Sequence, residues 1–232
     1  MSEVDAAAGG PGTPDAVRAD RHRLVSRVAG DIGHELKNPI HASVINLELV
    51  RKRIADGERD DALARLEVVS AQVRRVHGVV EGLLKLLRDG KQPGGAQELD
   101  RLVEVVLPLL SAQANSAAVP FEWTPAGPGA LCTPGADGIG HTLVGLVAVA
   151  VAMSRGRATG AVRVEGLSAP VGIRVSALGE GPGDPPERVV DPALIALVRR
   201  LAGSAGLVIR EEAVGDGVSW SSTVLLDGAS NA

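Results

Sequence analysis

Aromatic residues are almost missing from this chain: in 232 residues there is no tyrosine, and Phe121, Trp123 and Trp220 are the whole aromatic complement. Any core must therefore be built from Val, Leu, Ile and Ala, and at this length there is enough chain for one or two domains with cores of their own. Cysteine is nearly absent too. Cys132 is the single thiol, so no internal disulfide can form, and a reducing, cytoplasmic setting is expected. With no His or acid close to it in sequence, Cys132 reads as a small buried apolar residue. Positive charge is in deficit, with a formal net charge of -4, which argues against a nucleic-acid partner. No apolar run approaches the length of a membrane span, and the first residues are neither basic nor apolar enough for a secretory signal. No membrane partner and no built-in transmembrane sensor are expected.

What is present is helical periodicity. Residues 1–14, rich in Ala, Gly, Pro and Asp, read as a disordered leader. A first helix is expected from about Asp15 to Ala55, with Leu24, Val28, Ile32, Leu36, Ile40, Leu47, Val50 and Ile54 on one apolar face. Asp56-Gly57 ends it. A second helix runs from about Arg59 to Arg88, with Leu63, Leu66, Val69, Val73, Val76, Val80, Leu83 and Leu87 close to the 3.5-residue repeat of bundle helices. The two make an antiparallel hairpin over residues 15–90. A lone hairpin buries one side of its stripe, so a homodimeric four-helix bundle is expected.

A linker at 91–97 follows, and then residues 98–228 change character. Helices are expected over Gln97–Asn115, Asp137–Ser154 and Asp191–Ala202. Strands are expected over Val119–Trp123, Ala130–Thr133, Ala161–Leu167, Val171–Ala177, Leu207–Ala213 and Ser219–Leu226. Gly179 to Pro186 reads as a loop and Gly215-Asp216-Gly217 as a hairpin turn. The order suggests a two-layer α/β sandwich.

Chemistry concentrates at Gly33-His34-Glu35-Leu36-Lys37-Asn38-Pro39. At about 100° per residue, His34 points about 200° away from both Ile32 and Leu36, so its imidazole is expected in solvent. Glu35 is its neighbour around the helix, Asn38 lies one turn on, and Pro39 removes a helical hydrogen bond. His22, His41, His77 and His141 lack such surroundings and read as ordinary solvated histidines.

Residues 34–39 resemble the H-box of two-component histidine kinases, His-Glu-Leu-(Arg/Lys)-Asn-Pro, in that family's dimerisation and phosphotransfer hairpin. The downstream element order resembles the family's ATP-binding domain, so the resemblance covers nearly the whole chain. It implies a histidine that carries a phosphoryl group. The family's nucleotide chemistry is not matched. Aligned on the family pattern, Val149 stands at the metal-binding Asn, and Ala177, in Ala177-Leu178-Gly179-Glu180-Gly181, stands at the adenine-reading Asp. Valine offers no oxygen to a hard cation. A lost charged hydrogen bond costs about 1.5–3 kcal/mol. Gly203-Ser204-Ala205-Gly206 keeps little of the family's glycine box.

The expectation is a degenerate ATPase-like domain and no cofactor held by this chain, with magnesium supplied by a partner. The resemblance then implies a histidine phosphotransferase of a phosphorelay. His34 Nε2 takes a phosphoryl group from one receiver-domain aspartate and gives it to another. Glu35 orients the imidazole, Lys37 offsets phosphate charge and Asn38 positions water. Response-regulator receivers would dock over Asp31, Asn38, His41, Ala42, Ile45 and Leu49, which share the His34 side; an upstream hybrid kinase is a further candidate partner. Three alternatives stand beside it: an active kinase with a divergent ATP site, a non-catalytic dimeric scaffold, and a receiver phosphatase using Glu35 and Asn38.

Overall fold

The computed structural model describes residues 13–88, 96–132, 138–155, 157, 159–179, 189–211 and 218–226. Helix α1 spans Pro14–Ala55 and α2 Arg59–Leu87. Thr13 caps α1 by accepting a hydrogen bond from the Ala16 amide, and Pro14 occupies the first turn, where a missing N–H costs nothing. Pro14 therefore belongs to the helix rather than to the leader; residues 1–12 lie outside the described residues. Gly57, at φ +77°, makes the turn between the helices, and Arg53 closes it with an ion pair to Glu58.

The α/β part begins with a two-residue strand β1, Gln97–Glu98, where a helix was expected, paired antiparallel with β3, Leu131–Cys132. Helix α3 is Leu99–Ser116 and β2 is Phe121–Thr124. Helix α4 is Ile139–Ser154, buried nearly all round as its largely apolar sequence requires. Strands β4, Ala161–Ser168, and β5, Val171–Leu178, pair antiparallel. Asp191 caps α5, Pro192–Ser204, by accepting from the Ala193 amide. Strands β6, Val208–Glu211, and β7, Val218–Leu225, complete the fold. The main sheet runs β2-β4-β5-β7-β6, with β2 and β4 parallel and the other neighbours antiparallel. The expected loop at 180–186, the turn at 215–217 and the linker up to residue 95, with Asp137 and Thr133, fall outside the described residues.

One face of the sheet carries Val162, Val164, Ile173, Val175, Ala177 and Val224, all buried, against the helices. The helical layer is covered in turn by the upper part of the hairpin. A single buried cluster runs from Leu24, Val28 and Ile32 through Val79 and Leu86 to Val106, Leu109, Leu143 and Leu201. Helix α2 approaches α3 tightly at Gly78 and Gly82. A Cβ on Gly78 would lie 3.1 Å from the Pro108 ring, and one on Gly82 3.3 Å from Leu109 Cβ. His141, expected in solvent, is buried instead, its Nε2 2.9 Å from the Leu86 carbonyl oxygen. It pins α4 to the end of α2.

The expected apolar stripe of α1 is divided by this docking. Leu24, Val28 and Ile32 are fully buried, and Val50 is buried against the hairpin, while Ile40, Leu47 and Ile54 are exposed. On α2 the buried row is Ala62, Val69, Val79 and Leu86; the expected positions Leu63, Leu66, Val73, Val80 and Leu87 face outward.

Candidate phosphotransfer site

His34 is exposed on α1, and among the described residues it makes no hydrogen bond or ion pair. Lys37 and Asn38 are exposed beside it, and Pro39 is buried toward α2. Pro39 cannot donate to the carbonyl one turn back, and Ser43 answers on its C-terminal side: Ser43 Oγ lies 2.7 Å from the Pro39 carbonyl oxygen and 2.9 Å from Gln72 Oε1. This ties the two helices together one turn below the hexapeptide.

Glu35 is largely covered. Its Oε2 accepts a hydrogen bond from Arg75 of α2 at 2.9 Å, and no bond joins it to His34. Sequence periodicity gave no reason to single out Arg75, because the pairing depends on how the two helices are rotated against each other.

Of the expected docking residues, Asp31, His41 and Ile45 are exposed, as is Asn38, and Ala42 and Leu49 are half-buried. Projected down the helix, Ile45 falls about 20° from His34, whereas Ile40, Val44, Leu47 and Ile54 fall roughly 80–160° round on one flank. Two exposed surfaces thus separate on α1: the His34 face and an apolar flank.

Above His34 the same face is occupied. Arg27 lies seven residues earlier, about 10 Å up the axis and within about 20° of His34. Its Nη1 donates to Asp191 Oδ2 at 2.8 Å, at the start of α5. The Arg27 guanidinium and the Ala193 amide hold the Asp191 carboxyl below the usual carboxylate range. Asp20, further up, takes two hydrogen bonds from Arg200 of α5. The sandwich therefore meets this face of α1 about two turns above His34, while Asn38, His41 and Ile45 below the imidazole are exposed.

The two positions aligned with nucleotide ligands are packed. Val149 is 3% exposed in α4, and Ala177 is fully buried on β5, in register with Val162 and Trp220. Close by, α4 and α5 approach at Gly145, where a Cβ would lie 2.4 Å from a Val198 methyl. The cleft lined by Val149, Ile195, Val198, Arg199, Glu211 and Trp220 holds about 20 Å³, room for roughly one water. Gly203 to Gly206 form the end of α5, with Gly206 at φ +70° leading into β6. Among the described residues no group of three or more His, Cys, Asp or Glu could hold a metal ion, and no helix is long and apolar enough to cross a membrane.

No family model matches the chain, and no curated protein matches it. Solved structures do. The chain is similar to a bacterial phosphotransferase at 18% identity, over 93% of this chain and 100% of that one, with a TM-score of 0.44. It is similar to the Acinetobacter baumannii histidine kinase AdeS at 18% identity, over 84% of this chain and 98% of that one, with a TM-score of 0.41. The histidine kinase ThkA, solved in complex with the response regulator protein TrrA, is similar at 17% identity over 90% of this chain and 64% of that one, with a TM-score of 0.42. These likenesses concern the arrangement of elements and assign no residue a role.

Proposed function

We propose that this protein is a dimeric histidine phosphotransferase of the two-component type, moving a phosphoryl group between receiver-domain aspartates through His34 without using ATP. The observation that carries the reading is the contrast between two sites. The histidine of an H-box-like hexapeptide stands free in solvent, while the positions where the related kinases hold metal and adenine are buried as valine and alanine.

In the forward step the lone pair of His34 Nε2 attacks phosphorus in line. The N–P bond forms, the P–O bond to the receiver aspartate breaks, and the carboxylate leaves with the electron pair. The return step onto a second receiver reverses this. Such displacements are catalysed by positioning and charge. Magnesium comes with the receiver, Lys37 offsets phosphoryl charge, and Asn38 is placed to hold a water one turn away. The receiver docks over Asp31, one turn above His34, and over Asn38, His41, Ala42, Ile45 and Leu49 below it. A second copy covers Ile40, Val44, Leu47 and Ile54 with Leu63, Leu66, Val73 and Val80, which the single chain leaves exposed.

The test pairs two measurements. Calorimetric titration with ATP-magnesium is expected to give no binding heat, and a phosphorylated receiver is expected to label His34 but not the His34→Ala variant. Label on His34 from ATP alone would make the protein a kinase. Receiver dephosphorylation that persists in His34→Ala would make it a phosphatase.

A further inference from the structure

The bond between Glu35 and Arg75 joins residues 40 positions apart, across the seam of the hairpin. Its placement is informative. On the α1 wheel the buried residues Ile32, Pro39, Ser43 and Val50 mark the side facing α2, about 140–180° from His34, and Glu35 at about 100° lies on the arc between the two. Arg75 therefore reaches out of the seam toward the His34 side. Its side chain is about half exposed. A guanidinium has five N–H donors. One of them bonds Glu35, and among the described residues Arg75 makes no other hydrogen bond or ion pair. On the other side of His34, about 60° round, stands Lys37, exposed and likewise unpaired.

We propose that Arg75 is a phosphoryl-binding residue: when His34 is phosphorylated, the guanidinium exchanges the Glu35 carboxylate for the phosphoryl oxygens. The inference rests on the phosphotransfer reading above and names a residue which that reading does not use. Phosphorylation places about -1.5 to -2 charges one residue from the Glu35 carboxylate. Two anions so close need a cation, and Arg75 already sits on one of them. Its planar fork suits phosphoryl oxygens better than an ammonium does. A partly exposed ion pair of this kind adds little to folding, so the guanidinium can change partners at small cost.

The test needs no receiver. With phosphoramidate as the donor, a ring nitrogen of His34 displaces ammonia from phosphorus: the new N–P bond forms, the old P–N bond breaks, and ammonia leaves with the electron pair. Phosphorus NMR of the full chain then follows the last ionisation of the phosphoryl group against pH. Arg75→Ala is expected to raise that midpoint by about one pH unit relative to the unaltered protein, and Arg75→Lys to raise it by less. The other ionisable groups nearby, Asp31, Lys37 and His41 on α1 and Arg74 and His77 on α2, are common to all the proteins compared, with Arg27 and Asp191 above them. A purely structural role for Arg75 would lower the melting temperature and leave the midpoint alone. Arg75→Gln serves where the Ala variant does not fold. Equal midpoints in phosphorylated unaltered and variant proteins overturn this inference alone. Failure of His34 to accept a phosphoryl group from phosphoramidate removes the phosphotransfer reading and the inference with it.

Discussion

Asp20 and Arg200 face each other across the junction between hairpin and sandwich, joined by hydrogen bonds of 2.7 and 3.1 Å to the two carboxylate oxygens. Asp20 is mostly covered while Arg200 is half exposed, and Arg23 adds a third contact at 3.1 Å. The pair lies beside Leu24 and Val28, so it closes the rim of an apolar contact rather than floating on the surface.

Arg200, mainly through its hydrogen bonds, holds the Asp20 carboxyl below its usual range despite the opposing effect of burial. The folded state then takes up a proton less readily than the unfolded chain. The resulting stability is complete above the unfolded value of about 4 and is lost as pH falls through the lower folded value. Asp20→Asn should cost about 1–2 kcal/mol at pH 7, discounted for the exposure of Arg200. That difference should shrink as pH falls below the unfolded value of about 4, as urea unfolding at several pH values would reveal.

Ile45 tests the docking face. It stands about 20° from His34 and away from the apolar flank, so Ile45→Asp is expected to slow phosphotransfer from a receiver at least about tenfold, the loss of one buried side chain. The dimer should be left intact. Unchanged transfer, or a monomer by light scattering, would move Ile45 out of the receiver surface.

The flank itself makes a separate prediction. Val44→Asp with Leu47→Asp should weaken self-association about 100-fold or more, since each apolar side chain buried is worth about 1.5 kcal/mol. Sedimentation velocity would show a folded monomer. The junction core at Leu24, Val28 and Ile32 is untouched by these changes, so circular dichroism should hold.

Cys132 is 2% exposed, and burial, helped by the charge of Asp100, pushes its thiol up to about 11. Asp100 is fixed there by accepting from the Ala126 and Gly127 amides. At pH 8 the folded protein should resist iodoacetamide for hours and react promptly in urea, which intact-mass spectrometry would follow. Rapid alkylation of the native protein would contradict the placement of β3.

The lengths of α1 and α2, their turn at Gly57 and the strand pair β4–β5 follow from local signals: periodicity, a capping residue and period-two alternation. The exposure of His34 follows likewise, because a residue's direction on a helix depends only on its distance in sequence from the apolar rows. The two-residue strand β1 was hidden, since Gln97 and Glu98 carry no strand pattern and are extended only because Leu131 and Cys132 pair with them. His141 was misjudged for a similar reason: on an apolar helix its fate depends on what covers it, and that is the end of α2.

The chain's own order of residues decided that the His34 imidazole would stand outward on a long helix above a proline, and that valine and alanine would occupy positions 149 and 177 of the sandwich. Folding in three dimensions decided the rest. It chose which half of the α1 stripe would be closed by the sandwich, through glycines 78 and 82 that let α3 come near. It brought Arg75 to Glu35 and set Arg27 against Asp191 above the imidazole. Period and capping act within a few residues, whereas the Glu35–Arg75 and Arg27–Asp191 contacts link segments 40 and 164 positions apart, whose meeting is fixed only when the whole core closes.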